Sequence, residues 1–208
     1  MGNFMAVTGF HTSDHSEIVD FVVQYAKRNR VGVELLNGNT PPKEETDALI
    51  YNPENGWSII FWPRYFSAND FPLARAYARA KNICVSSLHV YDSDYWEHIF
   101  LNGDQVEHLF CSSPNFWEEE EEEIRNWIDD PAQMCKTLSI PVASVEKYLV
   151  DVGLEELSGK AYPDDQFELD DFWVMVDFWR KLGINYPEGD HAKILRLEKD
   201  FLDKLPYE

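Results

Sequence analysis

Asp92, Ser93 and Asp94 follow an apolar segment and are the residues that most readily suggest metal chemistry. Their carboxylates, with the imidazoles of His89 and His98 nearby, could ligate a divalent cation. Only one residue separates the two carboxylates, however, and no helical histidine pair completes such a site. Asp-Ser-Asp between two strands is also ordinary turn chemistry, because each side chain can bond the backbone two residues on. We therefore expect a turn, with Asp92, Asp94 and His89 as weak metal candidates, and no cofactor.

Candidate nucleophiles are present without the neighbours that would activate them. His11, Ser13 and Asp14 lie close together in the sequence, but a Ser-His-Asp triad depends on geometry and not on adjacency. A polar loop and a helix cap explain these residues better. Cys84 and Cys111 lie in or beside apolar runs and have no obvious activating group, so they are typical of small buried hydrophobes. The sequence contains no catalytic motif above background.

The surplus of acidic residues is the strongest signal in the chain. Its 208 residues contain 38 Asp and Glu against 18 Lys and Arg, a formal net charge of −20. Residues 1–110 carry 14 acids and 8 bases, whereas residues 111–208 carry 24 acids and 10 bases. Such a surface repels nucleic acid and anionic membranes, and it attracts basic partners at a rate that salt suppresses. The charge therefore favours a basic protein as partner.

The composition indicates a folded protein of the cytoplasm. With 44% hydrophobic and 14% aromatic residues, the chain has enough apolar mass for a substantial core. Three cysteines without metal-ligand spacing are typical of a reducing compartment. The N-terminus lacks the pattern of a signal peptide, and no run reaches the roughly 18 apolar residues that span a bilayer.

Two acidic segments are interleaved with aromatic residues. An acidic rim around aromatic anchors suits capture of a basic partner, because charge speeds encounter and aromatic burial prolongs residence. A solvated helix face is the plainer explanation of either segment alone, but solubility needs far less than a charge of −20. The candidate partner-binding residues are Trp117, Glu118, Glu119, Glu120 and Glu121 in the first segment, and Asp164, Asp165, Asp170 and Asp171 in the second.

Residues 134–149 have the outline of a helix-turn-helix, with Pro141 near the start of the second helix. Specific DNA binding depends on neutralising phosphates. The flanking segments here are acidic, from Glu118 to Glu123 on one side and at Asp151, Glu155 and Glu156 on the other. We therefore expect a packing motif, and no binding to nucleic acid.

The N-terminal half alternates helix and strand signals. Asp14, followed by Glu17 three residues later, is a capping-box signature before an apolar-periodic helix. The predicted elements are a strand at 4–10, a helix at 16–29, a strand at 31–36, a hairpin of strands 48–52 and 57–62 around a four-residue turn, a helix at 73–81 and a strand at 83–91. This order predicts a largely antiparallel sheet and is compatible with a duplicated α-β-β-β unit of about 45 residues.

Asn102-Gly103 between two apolar strands is a strong hairpin signal. A turn centred on that dipeptide sets His98 against Glu107 and Glu97 against His108. Opposite charges would then meet across the strands and favour charged imidazoles. No catalytic role for these histidines is needed.

After Pro114 the periodicity becomes helical. Helices are predicted from residue 118, at 132–138, at 142–150, at 169–182 and at 190–205. The chain is thus predicted to be α+β, with a sheet domain at 1–113 and an acidic helical region at 114–208 packed on it.

Three functions remain open. The leading hypothesis is an acidic interaction protein that binds a basic partner, such as an immunity or antitoxin-like protein or a mimic of nucleic-acid charge. The second is a small-molecule enzyme with a cleft between sheet and helices, lined by aromatics such as Trp57, Trp62, Tyr95 and Trp96. The third is a homo-oligomer that buries the apolar faces near residues 173–179 and 194–205 against a second copy.

Overall fold

A computed structural model describes residues 3–36, 40–63, 71–116, 130–152, 157–198 and 201. Within these ranges, eight antiparallel strands form a single sheet in the order β2-β8-β3-β4-β1-β5-β6-β7. The predicted α+β class is confirmed. The strands are β1 (Met5–Phe10), β2 (Val33–Leu36), β3 (Asp47–Ile50), β4 (Ser58–Phe61), β5 (Cys84–Tyr91), β6 (Tyr95–Asn102), β7 (Gln105–Cys111) and β8 (Lys193–Leu197).

Helices cover both faces of this sheet. The helices among the described residues are α1 (His15–Arg28), α2 (Phe71–Lys81), α3 (Ala132–Leu138) and α4 (Val174–Lys181), with 3-10 turns at Pro114–Phe116, Val142–Ser144 and Glu146–Tyr148. Helices α1 and α2 pack on the face of β1 that carries Ala6 and Phe10. Helices α3 and α4 pack on the opposite face, which carries Val7. Successive residues of a strand point to opposite faces, so this alternation separates two hydrophobic cores.

The N-terminal predictions are largely confirmed. The side chain of Asp14 accepts hydrogen bonds from the backbone N–H groups of Ser16 and Glu17 at 3.0 and 3.1 Å, which caps α1. The β3–β4 hairpin is tighter than predicted, because Asn55 and Gly56 both have positive φ and form a two-residue turn. The order α-β-β-β occurs twice, and the duplication itself stays a prediction.

The predicted register of the β6–β7 hairpin is wrong. Gly103 takes the first central position of the turn, with a φ of 57°, so Asn102 pairs with Gln105. A bulge next to Phe100 then shifts the strands by one more residue. As a result Phe100, and not Glu97, lies opposite His108.

The C-terminal half departs most from its prediction. The segment predicted as a helix at 190–205 contains strand β8, which pairs with β2 on one side and β3 on the other. The boundary at residue 113 stays a prediction, but the region beyond it contributes this strand to the sheet. Helix α4 begins at Val174 and not at Leu169, because the preceding residues form turns. The helix predicted from residue 118 lies outside the described residues.

The helix-turn-helix outline is not realised. After α3, the residues predicted as a second helix form two separate 3-10 turns. Met134, Cys135, Val145 and Tyr148 are buried in the core beneath α4, which agrees with a packing role. No helix in the described part of the chain is long and apolar enough to cross a membrane.

Candidate functional site

The predicted partner-binding residues fall into two groups. Trp117 and Glu118, Glu119, Glu120 and Glu121 lie outside the described residues. The second segment is described and forms a loop before α4. There Asp164 and Asp170 are exposed, Asp171 is half-buried and Asp165 is buried.

Asp164 is exposed but paired. Its carboxylate oxygens lie 2.7 and 2.8 Å from Lys181 Nζ and 2.9 Å from Arg180 Nη1. These hydrogen bonds, first from Lys181 and then from Arg180, lower the pKa of Asp164 to about 2. Part of its charge is therefore cancelled within the chain.

Asp165 belongs to the interior, which corrects its assignment to an exposed rim. Its carboxylate accepts hydrogen bonds from the Tyr148 hydroxyl and the backbone N–H of Tyr162, and it lies 3.3 Å from Arg180 Nη2. A buried carboxylate is tolerated only when such donors replace its hydration. Asp165 thus holds the loop onto the rest of the fold.

Asp177 is a key residue that the sequence analysis missed. Its side chain is fully buried in α4, and one oxygen accepts the backbone N–H groups of Gln166 and Phe167 at 2.7 and 2.8 Å. The other oxygen lies 3.1 Å from Arg180 Nη2. The i,i+3 spacing of Asp177 and Arg180 was the available signal. This carboxylate fixes the loop that precedes α4.

A cleft of about 630 Å³ opens beside that loop, which we call the aromatic cleft. Its walls include Glu54, Phe167, Trp173, Arg180, Tyr186 and Glu188. The rings of Phe167 and Trp173 are stacked with centroids 6.3 Å apart, and Tyr186 stands at 86° to Trp173 at 5.7 Å. Phe167, Trp173 and Tyr186 are all half-buried, so they are anchored in the fold and open to a partner.

A second cavity of about 260 Å³ is lined in part by the same loop. It is lined by Asp170 and Asp171, and also by Asp94 from the β5–β6 turn. The Asp171 carboxylate accepts the backbone N–H of Trp173 at 2.9 Å and so orients a wall of the aromatic cleft. We call residues 163–173 and 184–190 together the acidic–aromatic face.

The weak metal candidates do not converge. Asp92 and Asp94 lie in an exposed turn, where Asp92 and Ser93 have positive φ and Ser93 bonds the backbone of Asn3. His89 is buried and faces Glu97, with 3.7 Å between Nδ1 and Oε2. In the described ranges, no three His, Cys, Asp or Glu side chains are grouped as metal ligands. Turn chemistry explains Asp92 and Asp94.

A buried polar line runs through the core below α4. Ser86 Oγ lies 2.8 Å from His98 Nε2, and His98 Nδ1 lies 3.0 Å from His108 Nδ1. Trp179 Nε1 donates to Ser86 Oγ. The order Ser–His–His resembles a nucleophile, a base and an orienting group. All four side chains are fully or almost fully inaccessible, however, so no substrate can reach Ser86 in this conformation.

These histidines are neutral, which corrects the expectation of charged imidazoles. Burial, and then the neighbouring His108, lower the pKa of His98 well below its usual range. Burial lowers the pKa of His108 to about 4, against an opposing effect of Asp130. The shifted register replaced the predicted glutamate partners with a second histidine and apolar side chains.

The other residues considered for catalysis or self-association serve the two cores. Burial raises the pKa of Cys84, and raises that of Cys111 to about 12, so both thiols stay protonated at neutral pH. Trp57 and Trp62 are buried on opposite faces of the sheet and therefore cannot line one cleft, whereas Tyr95 and Trp96 both line the second cavity. The apolar faces proposed for a second copy are used internally, by Phe178 and Trp179 in one core and Leu195 and Leu197 in the other.

The chain matches no protein-family model, no curated protein and no solved structure.

Proposed function

We propose that this protein is an acidic interaction module that binds a basic protein through the acidic–aromatic face. An immunity or antitoxin-like protein that covers a nuclease, or a mimic of nucleic-acid charge, is the form that this activity would take. The supporting observation is the combination of half-buried aromatic rings with an acidic surround at one site.

The charge of this region supports the proposal. Residues 163–190 contain eight acidic side chains against two basic ones. Arg180 and Lys181 are both engaged by aspartates, whereas Glu168, Asp170 and Glu188 are exposed and have no ion pair to a described residue. Charged groups that remain uncompensated at a surface steer an oppositely charged partner during encounter.

The aromatic residues would supply binding energy at short range, which charge alone does not. Binding energy in protein interfaces concentrates at a few aromatic and arginine side chains, surrounded by a polar rim. Phe167, Phe172, Trp173 and Tyr186 form a connected series of ring contacts on this face, and all four are partly exposed. They would give the complex its residence time.

We expect affinity capture from native lysate to retain a strongly basic protein that elutes at moderate salt. The triple variant Glu168→Gln, Asp170→Asn and Glu188→Gln should lose most of this protein, because its three charges lie on the acidic–aromatic face. The association rate of the purified pair should fall at least about tenfold between 50 and 500 mM salt.

A matched variant removes three exposed charges elsewhere: Asp20→Asn on α1, Glu34→Gln on β2 and Glu45→Gln before β3. It should retain the protein as the wild type does. Equal loss of the captured protein in both variants would show that capture depends on net charge alone and not on this face. If the wild type captures no basic protein, the proposal is contradicted.

A further inference from the structure

We infer that the aromatic cleft is the receptor for an arginine side chain of the basic partner. This inference rests on the proposed function and adds the chemical group that the cleft recognises. The observations that carry it are the ring geometry, the charge balance of the walls and the engagement of Arg180.

The rings of the cleft form a corner. Trp173 and Tyr186 meet nearly at right angles, and Phe167 stacks on Trp173. Aromatic faces attract a cation within about 6 Å of the ring centroid, and tryptophan does so most strongly. Burial, and then the nearby Tyr51, raise the pKa of Tyr186 to about 12, so its ring is neutral at pH 7. A flat cation could lie against one ring while its edge meets another.

The rim of the cleft offers acceptors to that cation. Glu54 Oε1 accepts from Asn185 Nδ2 at 2.6 Å, and its other oxygen bonds no described residue. Glu188 is exposed on the facing segment and has no ion pair in the described part of the chain. Carboxylates match the planar fork of a guanidinium better than the point charge of an ammonium group. The acceptors and the flat rings together favour arginine over lysine.

Arg180 in the wall does not reverse this preference. Its Nη1 bonds Asp164, and its Nη2 lies 3.1 to 3.3 Å from Asp165 and Asp177. Its Nε has no hydrogen-bond partner among the described residues, but it is buried and therefore out of reach of a ligand in the cleft. Counting Lys160 and Lys181 beside it, three cations at this site face five carboxylates (Asp164, Asp165, Asp177, Glu54 and Glu188). The cleft therefore keeps a negative balance, and an anionic ligand is disfavoured.

The test is a titration of small ligands into the whole protein. Binding is monitored through the indole N–H resonance of Trp173 in nuclear magnetic resonance spectra. The probes are blocked arginine (N-acetyl-arginine methylamide), the corresponding neutral citrulline, blocked lysine and inorganic phosphate. The resonance is assigned with the variant Trp173→Phe. We expect saturable binding of blocked arginine near millimolar concentration, at least about tenfold weaker binding of citrulline, and weaker binding of lysine.

Two double variants localise the effect. Glu54→Gln with Glu188→Gln should weaken arginine binding about tenfold, while Asp20→Asn with Glu45→Gln should leave it within about twofold. Both pairs are conservative and exposed, and circular dichroism checks that each variant is folded. Equal binding of citrulline, binding of phosphate in place of arginine, or shifts spread over the whole acidic surface would overturn the inference.

The outcome separates this inference from the proposed function. Suppose that wild type and Trp173→Leu capture a basic protein equally well, and that arginine does not saturate the cleft. The arginine site is then wrong, while the proposed function as an interaction module is retained. If arginine saturates the cleft but no basic protein is captured, the receptor stands and the proposed function fails.

Discussion

Replacement of Asp177 by asparagine is expected to lower the free energy of unfolding by about 3–5 kcal/mol. The carboxylate is fully buried, and its two oxygens serve the backbone N–H groups of Gln166 and Phe167 and the guanidinium of Arg180. An asparagine side chain keeps one acceptor oxygen and turns an amino group toward the remaining donors. It also leaves Arg180 with one fewer counter-charge.

Urea denaturation at pH 7 measures this effect, and Asp170→Asn is the matched control. Asp170 lies on the same loop but is exposed, so its replacement should change the unfolding free energy by no more than about 0.5 kcal/mol. A loss below about 1 kcal/mol for Asp177→Asn would show that the loop is held by other contacts. The acidic–aromatic face would then lack the support that we assign to Asp177.

Acidification is expected to destabilise the fold through His98 and His108. The folded-state pKa of each lies below its unfolded value of about 6.5, so the unfolded chain takes up protons first. Their stabilising contribution is complete above pH 6.5 and is lost as the pH falls toward the folded-state pKa. Each histidine should remove about 1.4 kcal/mol per pH unit, which for His108 totals roughly 3 kcal/mol by pH 4.

Unfolding free energies between pH 7.5 and 5.0 test this, because most exposed carboxylates stay ionised in that range. His108→Gln should reduce the slope of unfolding free energy against pH by up to the equivalent of one bound proton. An identical slope in wild type and His108→Gln would mean that His108 binds its proton equally well in both states.

Local signals in the sequence located most elements of the N-terminal half, but not the register of the β6–β7 hairpin. Asp14 marks the start of α1, and the turn residues at 53–56 and at 102–103 mark hairpins, because each acts on backbone a few residues away. Strand β8 could not be predicted in this way. Its apolar residues fit one stripe of a helix as well as a strand, and the gap between β2 and β3 that it fills arises only in the folded sheet.

The candidate site could likewise be predicted only in part from the sequence. That acids and aromatics alternate at 164–173 is readable from the sequence, but which acids remain exposed is not. Asp164 and Asp165 are adjacent, yet one is at the surface and the other is buried against Tyr148, because the loop is folded back by Asp177. The position of the β6–β7 turn and the bulge beside Phe100 together decided that His108 meets His98 in place of a glutamate.

The most direct test of the central claim is amide hydrogen exchange of the protein, free and in complex with the basic protein recovered by capture. Binding at the acidic–aromatic face predicts slower exchange at residues 163–173 and 184–190, with little change in α1 on the opposite side of the sheet. Protection concentrated on α1 and α2, with residues 163–173 and 184–190 unchanged, would contradict the account.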